Sequence, residues 1–239
     1  MRWIFISPHL DDAVLSAGGL IHDMTKAGTR VEIWTVICGF SPAGESSPLA
    51  QTLHFQWGFS SAEETVRMRR EEDKHAAAIV GASAYHFDFP DCIYRRGPDG
   101  EWLYPQGVFE PPREEEAGLP VAIAAALAAR LQPDDVIACP LTIGHHVDHV
   151  TVRRAVERLG RPLIYFADIP YLLNSPEELE PAVKGMQVET REVSSAGLAA
   201  WVDGIAAYAS QLTMLFETPE LLKEKIEGYG RQGLRLWRL

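Results

Sequence analysis

Trp3-Ile4-Phe5-Ile6-Ser7-Pro8-His9-Leu10-Asp11-Asp12 carries four apolar residues straight into a run that crowds imidazole and carboxylate together. The apolar half reads as a buried strand. Asp11 or Asp12 suits the N-cap of a following helix, whose apolar positions are Val14, Leu15, Leu20, Ile21 and Met24 and whose end is Gly28. A second run of the same kind, His145-His146-Val147-Asp148-His149, follows an apolar strand at 135–139 and leads into a helix through Leu159. One such run reads most simply as a cap. Two at equivalent places suggest a shared metal site, because a hydrolytic divalent ion needs three nitrogen or oxygen ligands and an open position.

Working outward, further strands are expected at 31–37, 85–89 and 163–166, with a sixth at 186–193 and a closing strand at 233–239. Helical patterns fill 62–80, 114–131 and 194–216, and Thr218-Pro219 starts another. The stretches 38–61 and 91–113 read as long excursions, the second folded about a turn at Gly97-Pro98-Asp99-Gly100 between short extended arms, Ile93-Tyr94-Arg95 and Trp102-Leu103-Tyr104. Strands alternating with helices predict an α/β fold. The expectation is a Rossmann-like, mainly parallel sheet with helices on both faces, a C-terminal helical/β appendage, and one domain over residues 1–239. In the Rossmann order the first and fourth strands are neighbours, and ligands bind beyond their carboxyl ends. Both histidine runs lie just past those strands, so strand order alone brings them into one crevice.

A formal net charge of −11 opposes non-specific attraction to nucleic acid or anionic membranes. The longest apolar stretch, 121–129, is too short to span a bilayer, and no leader-like segment opens the chain. Cys38, Cys92 and Cys139 are sparse and odd in number, which argues against a disulfide framework and for a cytoplasmic location. No G-x-G-x-x-G follows the first strand, so Gly18-Gly19 reads as close helix packing rather than as a nicotinamide site.

His9 and Asp12 stand at i and i+3 around the turn into a helix and can face one point, which His149 joins from the other run. Asp11 is then free to take a proton from water activated by the ion. Asp148 can hold His146 in its charged form as a donor to an oxyanion. Metal, base and donor together describe hydrolysis of a carbonyl compound.

These residues resemble the PIG-L/LmbE-like de-N-acetylases. The resemblance rests on the PHxDD run with Leu15-x-x-Gly18-Gly19 after it, and on the later HxDH run. Arg69-Arg70-Glu71-Glu72-Asp73, Phe89-Pro90-Asp91 and Tyr208-x-Ser210-Gln211 add to it. It implies zinc held by His9, Asp12 and His149, with Fe2+ or another divalent metal also compatible. It implies Asp11 as base, His146 as oxyanion stabiliser and Asp148 as its orienting partner. It places Arg69 and Asp91 at the sugar, and it implies a small-molecule N-acyl amino-sugar conjugate, usually N-acetylated, as substrate; homo-oligomerisation is compatible with it. The sequence departs from the usual PHPDDE run at Leu10 and Ala13, which changes the stiffness of the loop and removes a carboxylate but touches no expected ligand. Other readings stay open on the sequence alone: an amidase acting on a larger N-acyl conjugate, a non-haem iron oxygenase using the same donors, and a sugar- or nucleotide-binding module without turnover.

Overall fold

The computed structural model describes residues 1–41 and 45–239. The chain begins in β1 (Arg2–Ser7), which turns through the first histidine run into α1 (Asp12–Lys26). It continues through β2 (Arg30–Gly39), α2 (Pro48–Gln56), α3 (Ala62–Ile79) and β3 (Ser83–Pro90). After the second excursion come α4 (Leu119–Ala128), β4 (Asp135–Pro140), α5 (Val147–Glu157) and β5 (Leu163–Phe166). Two short helices, α6 (Tyr171–Asn174) and α7 (Leu179–Ala182), precede β6 (Gln187–Arg191). The chain closes with α8 (Ser195–Ala206), α9 (Ala209–Phe216), α10 (Pro219–Gly230) and β7 (Leu234–Arg238).

Among the described residues the sheet has seven strands in the order β3-β2-β1-β4-β5-β7-β6. The pairs from β3 to β5 are parallel, while β7 is antiparallel to both β5 and β6. This is the expected Rossmann-like α/β fold. Strands β1 and β4 are neighbours, with Phe5 opposite Ala138, so the two histidine runs leave the sheet side by side. The apolar core runs from Trp3 to Trp237, and the central strands bury residues on both faces, as a parallel sheet between helices requires. Helices α1, α3 and α8 pack on one another, and α4 pairs with α5.

The C-terminal elements do not hang from this core but complete it. Trp201 of α8 is fully buried and its indole N–H donates to the Val14 carbonyl at 2.7 Å, while Gly18 and Gly19 leave room for the ring. That close approach bears out the packing reading of the glycine pair.

Four local expectations change. The excursion 38–61 contains α2, capped by Ser47, whose hydroxyl accepts from the Ala50 N–H; residues 42–44 of that excursion lie outside the described residues. Cys92–Tyr94 is a short 3-10 turn rather than an extended arm, although Arg96 still pairs with Trp102 across the turn at 97–100. The helix expected from 114 starts later, at Leu119, because Gly118 and Pro120 favour a fresh helix start there. The helix expected over 194–216 breaks between α8 and α9 at Tyr208, whose hydroxyl donates at 2.7 Å to the fully buried Asp73. A satisfied buried carboxylate fixes that kink, and periodicity alone does not reveal it. No helix among the described residues is long and apolar enough to cross a membrane.

Candidate metal centre and substrate cavity

The first run leaves β1 in a tight turn. The Ser7 hydroxyl donates to the His9 carbonyl at 2.6 Å and accepts from the Ala13 N–H at 3.0 Å. Ser7 therefore caps the first turn of α1. Asp11 occupies the N-cap position, yet its side chain makes no cap bond. The capping role expected of Asp11 or Asp12 falls to Ser7, and both carboxylates are left for other work.

The second run leaves β4 through a loop with left-handed backbone at Thr142, Gly144 and His145, with φ of 64°, 83° and 55°. For a β-branched threonine that conformation costs about 1–3 kcal/mol and persists where neighbours impose it. Here Asp168 accepts from the Ile143 N–H at 3.0 Å and Glu178 from the Gly144 N–H at 2.9 Å. The loop turns His145 out to solvent beside Glu178 and turns His146 inward.

The structure brings His9, Asp12 and His149 together. Asp12 Oδ2 lies 3.5 Å from His9 Nδ1 and 3.3 Å from His149 Nε2. A tetrahedral ion with bonds of about 2.0–2.1 Å sets its ligand atoms about 3.3 Å apart. The observed spacings fit that edge. His149 is buried, and its Nε2 makes no hydrogen bond, as suits a nitrogen reserved for an ion. Its other nitrogen, Nδ1, lies 3.0 Å from Asp168 Oδ1, the position from which a carboxylate would orient a ligating imidazole. His9 Nε2 likewise faces Asp148 Oδ2 at 3.1 Å, which leaves Nδ1 toward Asp12. His146 also stands within ligating reach of His9 and His149.

Burial raises the Asp12 carboxyl, but His149 and His9 outweigh it and hold it well below the carboxylate range. Burial lowers His149, and Asp12 and then Asp168 lift it to about 9. Asp11 is pushed up to about 6 by burial and then by Asp12, against the guanidinium of Arg69, whose Nη2 is 3.4 Å away.

Asp148 was expected to hold the His146 ring in its charged form, and the geometry differs. Its carboxylate meets Arg95 Nη1 at 2.6 Å, His9 Nε2 at 3.1 Å and the Cys92 N–H at 3.0 Å. Contact with His146 runs through the backbone instead: the Asp148 N–H donates to His146 Nδ1 at 3.2 Å. A His146 ring nitrogen and an Asp148 carboxylate oxygen still lie within 4.8 Å of each other. Burial, then His9 and His149, push His146 well below its ordinary value. The neutral ring accepting at Nδ1 carries its proton on Nε2, which is a donor.

A cavity of about 290 Å3 opens over this cluster. Arg69 and Asp91 both line it, alongside Asp11 and His146. Arg69 is buried, stacks 4.7 Å over the Trp57 ring, and keeps its Nε without a partner. Asp91 caps the Cys92–Tyr94 turn through Oδ1 and holds Oδ2 3.7 Å from His9 Nε2. Asp168 and Arg95 were not anticipated, and Gln211 was expected only as part of the Tyr208-x-Ser210-Gln211 match, with no role assigned. Asp168 sits two residues past β5, so the strand-end rule that located the histidine runs also reaches it. Gln211 lines the cavity and donates to Ser210, whose hydroxyl donates to Glu72.

Residues 4–159 match the family described as PIG-L, GlcNAc-PI de-N-acetylase. A 2'-N-acetylparomamine deacetylase of Niallia circulans is 24% identical over 230 residues, covering 90% of this chain and 82% of that protein. The enzyme of the same name from Streptomyces fradiae is 29% identical over 175 residues, 71% of this chain and 57% of that protein. Among solved structures, a deacetylase-bog complex from the biosynthesis pathway of teicoplanin superposes with a TM-score of 0.82 at 26% identity, covering 100% of this chain and 97% of that one.

Proposed function

The chain belongs to the PIG-L family, and from that premise we propose that it is a zinc-dependent N-deacetylase acting on an N-acetylated amino-sugar conjugate. The observation that carries the reading is the spacing of Asp12 from His9 and His149 at the floor of a cavity. Two imidazoles and a carboxylate suit zinc; Fe2+ or another divalent metal suits the same donors. When bound, the ion supplies a water acidified toward neutral pH and polarisation of the acyl carbonyl.

The rest falls to the chain's own side chains. Asp11, free of any capping bond, accepts the proton of the attacking water and passes it to the departing amine nitrogen. His146 donates its Nε2 proton in a hydrogen bond to the carbonyl oxygen as negative charge grows there. Asp148 fixes His146 through its backbone and His9 through its carboxylate. Arg69 and Asp91 offer donors and an acceptor to the sugar hydroxyls. Acetate and the free amino sugar are the products. Residues 1–239 act as one domain on this reading, supported by a core that runs from Trp3 to Trp237. Three buried, unpaired cysteines support a cytoplasmic location.

The test is acetate release from a panel of N-acetylglucosamine conjugates, with metal content measured on the same sample. Release that disappears on chelation and returns with zinc is the expected result. A metal-loaded enzyme that releases acetate from none of them contradicts the reading.

Asp168 provides a separate check. Asp168→Ala removes the group facing His149 Nδ1 without touching a ligand atom. Metal affinity is expected to fall about 10–100-fold, measured by competition with a chromophoric chelator. Unchanged affinity would mean that Asp168 serves the 142–145 loop alone.

A further inference from the structure

Each imidazole at the metal centre leans on a buried carboxylate. Asp168 faces His149 Nδ1 and is itself held by the Ile143 N–H at 3.0 Å. Asp148 faces His9 Nε2 at 3.1 Å, and the same oxygen, Oδ2, accepts from the Cys92 N–H at 3.0 Å. Its other oxygen, Oδ1, meets Arg95 Nη1 at 2.6 Å. A carboxylate pinned at both oxygens cannot turn about its last bond, so the direction it offers to His9 is set by Arg95 as much as by Cys92.

Arg95 is buried and gripped from several sides. Its Nε pairs with Glu116, and its Nη2 lies 3.4 Å from Glu116 Oε2. Nη1 also donates to the Pro90 carbonyl at 3.3 Å, and the guanidinium stands 5.5 Å over the Tyr104 ring. The Tyr104 hydroxyl donates to Glu116 in turn. A planar fork that meets two carboxylates and a carbonyl fixes directions as well as charge, which an ammonium on a flexible stem does not.

The direction matters because two carboxylates compete for His9. Asp91 Oδ2 stands 3.7 Å from the same Nε2. An imidazole drawn to Asp91 would swing its ring and carry Nδ1 away from Asp12. It would also occupy a carboxylate that lines the cavity. We infer that Arg95 is a positioning residue of the metal centre: by locking the Asp148 carboxylate it selects Asp148 over Asp91 as the partner of His9, and so aims His9 Nδ1 at the ion. That role rests on His9 being a ligand, and it ties the 91–113 excursion to the metal centre.

The experiment measures zinc affinity, by competition with a chromophoric chelator, and thermal unfolding of the metal-free protein for the wild type and its variants. Arg95→Met should lose about 10–100-fold in affinity, as for other groups that orient a ligand. Arg95→Lys keeps the charge without the fork, so it should fold and lie between Arg95→Met and the wild type. Asp91→Asn, added to either variant, weakens the competing acceptor and should restore part of the lost affinity. Glu116→Gln loosens the far side of Arg95 but leaves Asp148 paired; it should lower the unfolding temperature and keep the affinity. Wild-type affinity in both Arg95 variants, no recovery with Asp91→Asn, or a loss in Glu116→Gln as large as that in Arg95→Met would make Arg95 a structural residue only, with the ligand set standing. A wild type that binds no zinc would remove the ligand role of His9 as well.

Discussion

Asp11→Asn is expected to retain its metal and its fold and to lose on the order of 10²–10⁴ in kcat, the usual worth of a positioned general base. Asn has nearly the shape of Asp and cannot take a proton at neutral pH. Asp11 makes no cap bond, so the start of α1, secured by Ser7, does not depend on it. The Arg69 guanidinium donates to its carboxylate at 3.4 Å, a long contact that the amide oxygen can accept as well. Acetate release, elemental analysis and thermal unfolding on one preparation check the three parts of the expectation. Turnover within a few-fold of wild type would remove Asp11 as the base.

His149→Ala is expected to strip the metal to background and abolish turnover with it. This pattern is opposite to that of Asp11→Asn, in which metal stays and rate goes. The imidazole bridges Asp12 at 3.3 Å and Asp168 at 3.0 Å, both buried. Removing it leaves two buried carboxylates facing an empty space, so stability should fall by about 3 kcal/mol as well. His149→Asn, whose amide nitrogen falls where Nδ1 stood and keeps a donor toward Asp168, separates the two effects: stability is largely restored and tight metal binding is not. Metal retained through gel filtration at wild-type stoichiometry in both variants would refute the ligand assignment.

Much of this centre was legible because strand order does long-range work. His9, Asp12 and His149 could be placed together before any contact was known, since β1 and β4 are neighbours in a Rossmann-like sheet and both runs follow strand ends. Asp168 follows the same rule, but a single Asp after a strand carries no local signal. Arg95 and Cys92 lie in the 91–113 excursion, where sequence pattern says little about which way a side chain turns. Asp148 was expected beside the His146 ring, and its further partners Arg95 and His9 come from distant segments that sequence pattern does not connect to it. The break at Tyr208 was hidden because α8 and α9 share one apolar rhythm and Asp73, its partner, lies far upstream in α3.

The central claim is that His9, Asp12 and His149 hold one divalent ion. Anomalous scattering from a crystal grown with zinc and measured across the zinc edge tests it most directly. The account predicts one strong peak about 2.0–2.2 Å from His9 Nδ1, Asp12 Oδ2 and His149 Nε2. A peak held instead by Cys92, His146 and Asp148, or no peak near Asp12, would contradict it.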